Sequence, residues 1–191
     1  MQVRQVLNQV ERECIVTHGY GLHSFAHALV NTFERLSPSP VTAEIHEEIR
    51  GFARSIENHP IELLPEVTET LKHLAARHRL IVMTKGTHKE QSAKIERSGL
   101  REYFNEIEIV PEKHSFAYTT VIQKYGLDPK TTWMVGNSPR SDINPALAAG
   151  LHAVFVPHGD TWILEHEEIQ PAPPAQTLLL VGRFSELREH F

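Results

Sequence analysis

Cysteine is nearly absent from this 191-residue chain, since Cys14 is the single one. One cysteine excludes an internal disulfide and a cysteine-based zinc cluster, and we interpret Cys14 as a small apolar packing residue. A basic block is also lacking, and the formal net charge is −5. A surface that follows nucleic-acid phosphates is therefore not expected, and we predict that nucleic acid is not a partner.

Long apolar runs are absent as well. No stretch approaches the ~20 apolar residues that a membrane span needs, and the N-terminal sequence MQVRQVLNQVERECIV lacks the apolar core of a signal peptide. These absences predict a cytoplasmic protein with no membrane partner. The composition, 40% hydrophobic and 23% charged, is that of an ordinary globular fold.

Histidine is plentiful, with 13 residues, but the histidines are scattered. His23 and His27 are four apart and would share a helix face. They have neither the HExxH pattern nor an evident third ligand, so metal binding by the histidines is disfavoured.

Helical spacing of apolar residues dominates the first part of the chain. It predicts helices over residues 1–16, 22–36 and 41–58, with Thr42 as the N-cap of the third. The third helix ends before Pro60, because a residue that precedes proline avoids the helical region. We predict a helical domain at residues 1–62.

Strands and helices alternate in the rest of the chain. Short β-branched runs predict strands at 79–84, 105–111, 131–136 and 152–157, and a last strand and helix follow within 177–191. Alternation of this kind indicates βαβ units, and therefore an α/β fold with a doubly wound parallel sheet at residues 63–191.

Polar residues follow three of the predicted strands, at the edge of the sheet where ligands bind in such folds. They are Thr84, Lys85 and Gly86 after the first strand, Lys113 after the second, and Asn137 and Asp142 after the third. Each has a purely structural alternative. Thr84 could cap the next helix, Lys113 could be a solvated surface lysine, and Asp142 could cap the helix that begins near Asn144. Their joint occurrence at three successive strand ends favours a functional site.

Three segments resemble motifs of the haloacid dehalogenase-like (HAD) hydrolase superfamily. LIVMTKG resembles motif II with Thr84, VPEKHSFAYTTVIQKYG resembles motif III with Lys113, and WMVGNSPRSDINPALAAG resembles motif IV with Asp142. The N-terminal helices are similar to the family's small cap. The resemblance implies a Rossmann-like three-layer core and a magnesium-dependent phosphatase that acts on a small phosphorylated metabolite through an aspartyl intermediate.

The resemblance also implies roles for individual residues. Thr84 and Lys113 would be catalytic, and Lys85 and Gly86 would bind substrate. Tyr20 of the cap could line the crevice and bind substrate as well, or could simply pack in the cap core. Asp142 would be a ligand of Mg²⁺, and Asn137, which stands where the family has an aspartate, would be a neutral ligand or support one.

One family motif is missing, the DxDxT motif I that carries the nucleophile on a central strand. Asp128, Asp142 and Asp160 are the three aspartates, and no DxD occurs. We therefore expect the chain alone to be inactive and to bind Mg²⁺ weakly or not at all. A start shortened by about 40 residues, or degeneration, would explain the loss. Without its central strand the sheet must close up, leave a gap or aggregate.

Two alternative functions remain open. One is a haloacid dehalogenase, which uses an aspartate nucleophile without a metal. The other is a non-catalytic binding or scaffold protein that keeps the sheet and has lost the nucleophile.

Overall fold

The computed structural model describes residues 3–57 and 59–191. Its first part consists of α1 (Val3–His18), α2 (Leu22–Leu36) and α3 (Ala43–Glu57). The apolar stripes of α1 and α2 meet in a small core of Val6, Val10, Cys14 and Ala28, which confirms Cys14 as a buried packing residue. Thr42 Oγ1 accepts a hydrogen bond from the Ile45 N–H (3.4 Å), as predicted for an N-cap. Met1, Gln2 and Asn58, which the spacing assigns to helices, lie outside the described residues.

The second part alternates strands and helices as the sequence predicts. In chain order it contains α4 (Val67–Ala75), β1 (Ile81–Lys85), α5 (His88–Arg97), β2 (Glu106–Val110), α6 (Ser115–Tyr125), β3 (Trp133–Gly136), α7 (Asn144–Ala148), β4 (His152–Phe155) and β5 (Leu178–Leu180). All three strand pairings are parallel. The predicted α/β class with parallel strands is confirmed, whereas the division at residue 62 stays a prediction.

The strands form two sheets within the described residues. One pairs β1 with β2, and the other has the order β3-β4-β5. A cavity of about 720 Å³ lies between them, lined by residues of β1 on one side and β3 on the other. A sheet without its central strand is expected to close up, leave a gap or aggregate, and the structure has the gap.

His114 is the N-cap of α6, because His114 Nδ1 accepts from the Ala117 N–H at 3.1 Å. The helix predicted in the C-terminal segment is a 3₁₀ helix at Phe184–Glu189. It still packs inward, since Leu187 is fully buried in a cluster with Leu74, Val154 and Val181.

None of the helices in the described ranges combines the length and the apolar character that crossing a bilayer requires.

Candidate functional site

A buried ion pair lies at the carboxyl ends of β2 and β3. Lys113 Nζ is 2.7 Å from Asp142 Oδ1, and the two side chains are only 12% and 7% exposed. Lys113 follows β2 and Asp142 follows β3, so the ion pair links loops at the carboxyl ends of strands that belong to the two separate sheets. Lys113 is therefore not a solvated surface lysine.

A π-helical turn at Pro139–Ile143 holds Asp142 in place. Asp142 Oδ2 accepts from the Ser138 N–H at 3.0 Å, and Ser138 Oγ accepts from the Ser141 N–H at 2.8 Å. The backbone of Gly136 packs against the Asp142 side chain so closely that a Cβ at position 136 would clash with the carboxylate. Asp142 thus belongs to the turn, and α7 has no side-chain cap.

A second lysine belongs to the same polar cluster. Lys85 Nζ lies 2.8 Å from Ser141 Oγ, 2.6 Å from Glu165 Oε1 and 3.3 Å from Glu112 Oε1. Glu165 also accepts from Ser138 Oγ at 2.6 Å. Buried ions of this kind need both a partner and hydrogen bonds, and here each carboxylate has both.

The electrostatics of this cluster depend on the pairing. Burial alone would raise the pKa of Glu165, but hydrogen bonds from Lys85, Ser138 and Ser141 outweigh it and leave the pKa below its ordinary value of 4.5. Burial likewise opposes the charged form of Lys85, and its bonds to Glu165 and Tyr20 outweigh it, so the Lys85 pKa is raised above 10.5. Both groups are therefore charged near neutral pH.

Tyr20 reaches this cluster from the link between α1 and α2. Its hydroxyl donates to Glu112 Oε2 at 2.6 Å, and Lys85 Nζ lies 4.1 Å from the centre of its ring. Burial, together with the bond to Glu112, raises the pKa of the Tyr20 hydroxyl. Tyr20 therefore contacts both Glu112 and Lys85, and its role in substrate binding stays a prediction.

A cavity of about 300 Å³ adjoins Tyr20 between the helical part and the loop after β4. Its lining is largely aromatic and aliphatic: Ile15, Tyr20, Gly21, Ser24, Phe25 and Trp162, with Glu11 as the charged member. Trp162 Nε1 donates to Glu11 Oε2 at 3.3 Å. Burial raises the pKa of Glu11 despite that hydrogen bond.

Three of the predicted site residues make other contacts. Thr84 Oγ1 donates to Gln91 Oε1 of α5 at 2.8 Å, and Thr87, not Thr84, caps that helix. The Gly86 N–H donates to the Val110 carbonyl at 3.0 Å, so it is committed to the β1–β2 ladder. Asn137 is exposed, and its Nδ2 donates to Thr161 Oγ1 at 2.7 Å.

The donor set around Asp142 does not fit Mg²⁺. Both Asp142 oxygens already accept, one from an ammonium group and one from a backbone N–H. The Asn137 amide is bonded to Thr161. Over residues 3–57 and 59–191, no group of three or more histidine, cysteine or acidic side chains is arranged to hold a metal ion. This includes His18, His23 and His27, whose rings contact one another at centroid distances of 4.5–5.8 Å.

Four polar residues of the cluster have no role assigned to them from the sequence: Glu112, Ser138, Ser141 and Glu165. Ser138 and Ser141 lie in the segment that resembles motif IV, so their closeness to Asp142 in the sequence could have indicated that they belong to the site. Glu165 follows β4 by ten residues and enters through a 3₁₀ turn at Ile163–Glu165, and no spacing rule indicates such a contact.

Comparison with known proteins places the chain in a family. The sequence profile described as haloacid dehalogenase-like hydrolase matches residues 2–156. A haloacid dehalogenase-like family hydrolase from Xanthomonas campestris is 29% identical, with a TM-score of 0.85 over 100% of this chain and 76% of that one. A comparison with curated proteins finds no match.

Two further solved structures share the fold. The 2-haloacid dehalogenase from Pseudomonas syringae is 19% identical, with a TM-score of 0.61 over 97% of this chain and 79% of that one. The L-2-haloacid dehalogenase from Xanthobacter autotrophicus with covalently bound chloropropionic acid is 17% identical, with a TM-score of 0.67 over 98% and 84%. The profile match covers most of the chain and includes Thr84, Lys113 and Asp142, so this chain belongs to the haloacid dehalogenase-like hydrolases.

Proposed function

We propose that the crevice around Lys113 binds the phosphoryl group of a small metabolite. The observation that carries this proposal is the buried contact of Lys113 Nζ with Asp142 Oδ1, 2.7 Å apart at the carboxyl ends of two parallel strands. A desolvated ammonium group at this edge is suited to neutralising an incoming oxyanion. The aromatic cavity beside Tyr20 would receive the rest of the metabolite.

The resemblance supports a magnesium-dependent phosphatase with an aspartyl intermediate as the activity of the complete enzyme. For this chain alone we propose no turnover and weak Mg²⁺ binding. The support is that each crevice carboxylate is already paired with a lysine: Asp142 with Lys113, and Glu112 and Glu165 with Lys85. A carboxylate held in this way is a poor nucleophile and a poor metal ligand.

Phosphate binding and hydrolysis can be tested separately. We expect saturable binding of inorganic phosphate by ³¹P NMR, weakened about tenfold or more in Lys113→Met, since a hydrogen bond to a charged group is worth ~1.5–3 kcal/mol. Lys124→Met, which removes a half-exposed lysine that pairs with Glu108, is the matched control and should bind normally. Hydrolysis of p-nitrophenyl phosphate with Mg²⁺ should not exceed the blank. Equal loss in both variants, or robust turnover, would contradict the proposal.

A haloacid dehalogenase is the second candidate, because two of the structurally similar proteins carry that name. At 19% and 17% identity they support the fold and leave the substrate open. Chloride release from 2-chloropropionate, without added metal, tests this alternative directly.

A non-catalytic binding protein is the third candidate, favoured by the pairing of every crevice carboxylate named above. Titration calorimetry with Mg²⁺ tests this candidate: tight binding with a one-to-one stoichiometry would argue against a non-catalytic protein, whereas weak or absent binding is expected both for it and for the incomplete enzyme.

A further inference from the structure

The cavity between the two sheets is bordered by two strand edges that pair with nothing in the described part of the chain. The bond from the Gly86 N–H to the Val110 carbonyl fixes which residues of β1 face β2. Because successive residues of a parallel strand point their N–H and C=O groups to opposite sides, Ile81 and Met83 direct theirs toward the cavity. The bond from His152 N–H to the Thr132 carbonyl fixes β3 in the same way, so Trp133 and Val135 face the cavity from the other side.

These groups are in an unusual environment for backbone. All residues of β1 and β3 are only half-buried, although central strands of parallel sheets are buried on both faces. Among the described residues, none donates to or accepts from the backbone N–H and C=O groups of Ile81, Met83, Trp133 and Val135. Backbone N–H and C=O groups in a fold interior almost always have hydrogen-bond partners. Water or a ligand must therefore form hydrogen bonds with these groups.

The walls of the cavity above and below the strands are largely apolar, and polar residues, among them Lys113 and Asp142 of the candidate site, complete its lining. Leu71 and Leu74 of α4, together with Phe184 and Leu187, line it, and so do Tyr118 and Val121 of α6. A ligand in this space must therefore present apolar groups to the walls above and below it. It must also form hydrogen bonds with β1 on one side and with β3 on the other. An extended polypeptide has this arrangement, with side chains perpendicular to its N–H and C=O groups.

We infer that the cavity is an acceptor slot for a separate, extended polypeptide segment of about five apolar residues that pairs with β1 and β3 at once. The length follows from the walls, since β1 has five residues and β3 has four. Both faces of the segment would be covered, so apolar residues are required at successive positions and not only at alternate ones. The bound segment would convert the two sheets into one continuous sheet.

Other occupants match the slot less well. A lipid chain or an aromatic compound would cover the apolar walls but leave the peptide groups of both edges unpaired. The edge strand of a folded second copy has one side already paired with its own neighbour, so it can serve only one of the two edges. A free segment serves both, and strand addition is an established mode of peptide recognition.

The test uses a fluorescein-labelled peptide of five valine and isoleucine residues with two lysines at each end for solubility. Binding to the intact chain is followed by fluorescence anisotropy. Two further peptides carry N-methyl groups on alternate residues, one on the odd and one on the even positions. Insertion into the slot predicts that either methylated set abolishes binding, because each set blocks one of the two edges. Addition to an outer sheet edge uses only one side of the peptide, so at least one methylated set would still bind.

Proline variants of the chain give a matched control. Ile81→Pro removes an N–H that faces the slot, and Ile107→Pro removes one on the outer edge of β2, while both spare the β1–β2 ladder. We expect about tenfold weaker binding in Ile81→Pro, as for loss of one hydrogen bond, and unchanged binding in Ile107→Pro.

Hydrogen exchange of the unsubstituted chain shows whether the peptide binds between β1 and β3, even if a variant fails to fold. Peptide binding should slow exchange of the amides of Ile81, Met83, Trp133 and Val135. Protection of Ile107 and Ile109 instead, or absence of saturable binding, would overturn the inference. Strand binding needs neither phosphate nor turnover, so failure of the proposed hydrolase chemistry would leave these results unaffected.

Discussion

Gly136 shows how one missing side chain makes room for the candidate site. Its backbone packs against the Asp142 side chain, and a Cβ there would meet the carboxylate itself. The φ angle of Gly136 is ordinary, since it is not among the positive-φ glycines. Close approach, and not backbone conformation, is therefore what requires glycine at this position.

Gly136→Ala is predicted to displace Asp142 from Lys113 and to lower the free energy of unfolding by about 1–3 kcal/mol, the usual cost of overpacking. Urea denaturation measures it. Gly159→Ala is the control, because a Cβ at position 159 would meet nothing within 4 Å, and its effect should stay within about 0.5 kcal/mol. Equal effects of the two substitutions would show that the space around Asp142 is not limiting.

At the scale of elements, the Lys85–Glu165 pair joins the end of β1 to the 3₁₀ turn at Ile163–Glu165. The Glu165 pKa is lowered in the fold, so its contribution to stability is present above pH 4.5 and is lost as the pH falls through the lowered pKa. The Lys85 pKa is raised, so its contribution is present below pH 10.5 and is lost only above that value. The pair therefore stabilises the fold between these limits.

Glu165→Gln is expected to be less stable than the parent chain at pH 7, and the difference should shrink as the pH falls below 4.5. The free energy of unfolding, measured by urea titration at several pH values, tests this. Glu48→Gln, on an exposed position of α3, should change stability by less than about 0.5 kcal/mol. A difference between Glu165→Gln and the parent that stays constant down to about pH 3 would refute the assigned role of ionisation.

On the scale of the whole molecule, the apolar core is divided. The helical part has its own cluster around Val10, whereas Leu187, Tyr118 and Ile143 are centres of three separate clusters in the α/β part. The two parts are joined by polar contacts, among them the hydrogen bonds of Tyr20 to Glu112 and of Trp162 to Glu11. Such a division favours partial independence of the two parts in unfolding.

Val10→Ala is predicted to lower the local stability of α1 and α2 by about 2 kcal/mol, because Val10 is fully buried. Amide hydrogen exchange should speed up in these helices and stay unchanged in β3 and β4. Val16→Ala, in the same helix at 86% exposure, is the control and should have little effect. Equal acceleration throughout the chain would show that the molecule unfolds as one unit.

The local pattern of the sequence was sufficient for the elements and for one pair of site residues. β-branched runs separated by amphipathic segments predicted four strands and their parallel direction, because the periods of strands and helices are properties of neighbouring residues. Lys113 and Asp142 could be placed together for a similar reason, since parallel strands deliver their following loops to one edge.

Only the tertiary structure decided the partners of those residues. Lys85 pairs with Glu165, which is 80 positions away, and Asn137 donates to Thr161. Both contacts depend on how distant segments pack, and the local periodicity of the sequence contains no information about that. The same holds for the open space between β1 and β3. Strand propensity determines that each segment is extended, but which edges find a neighbour is a property of the assembled sheet.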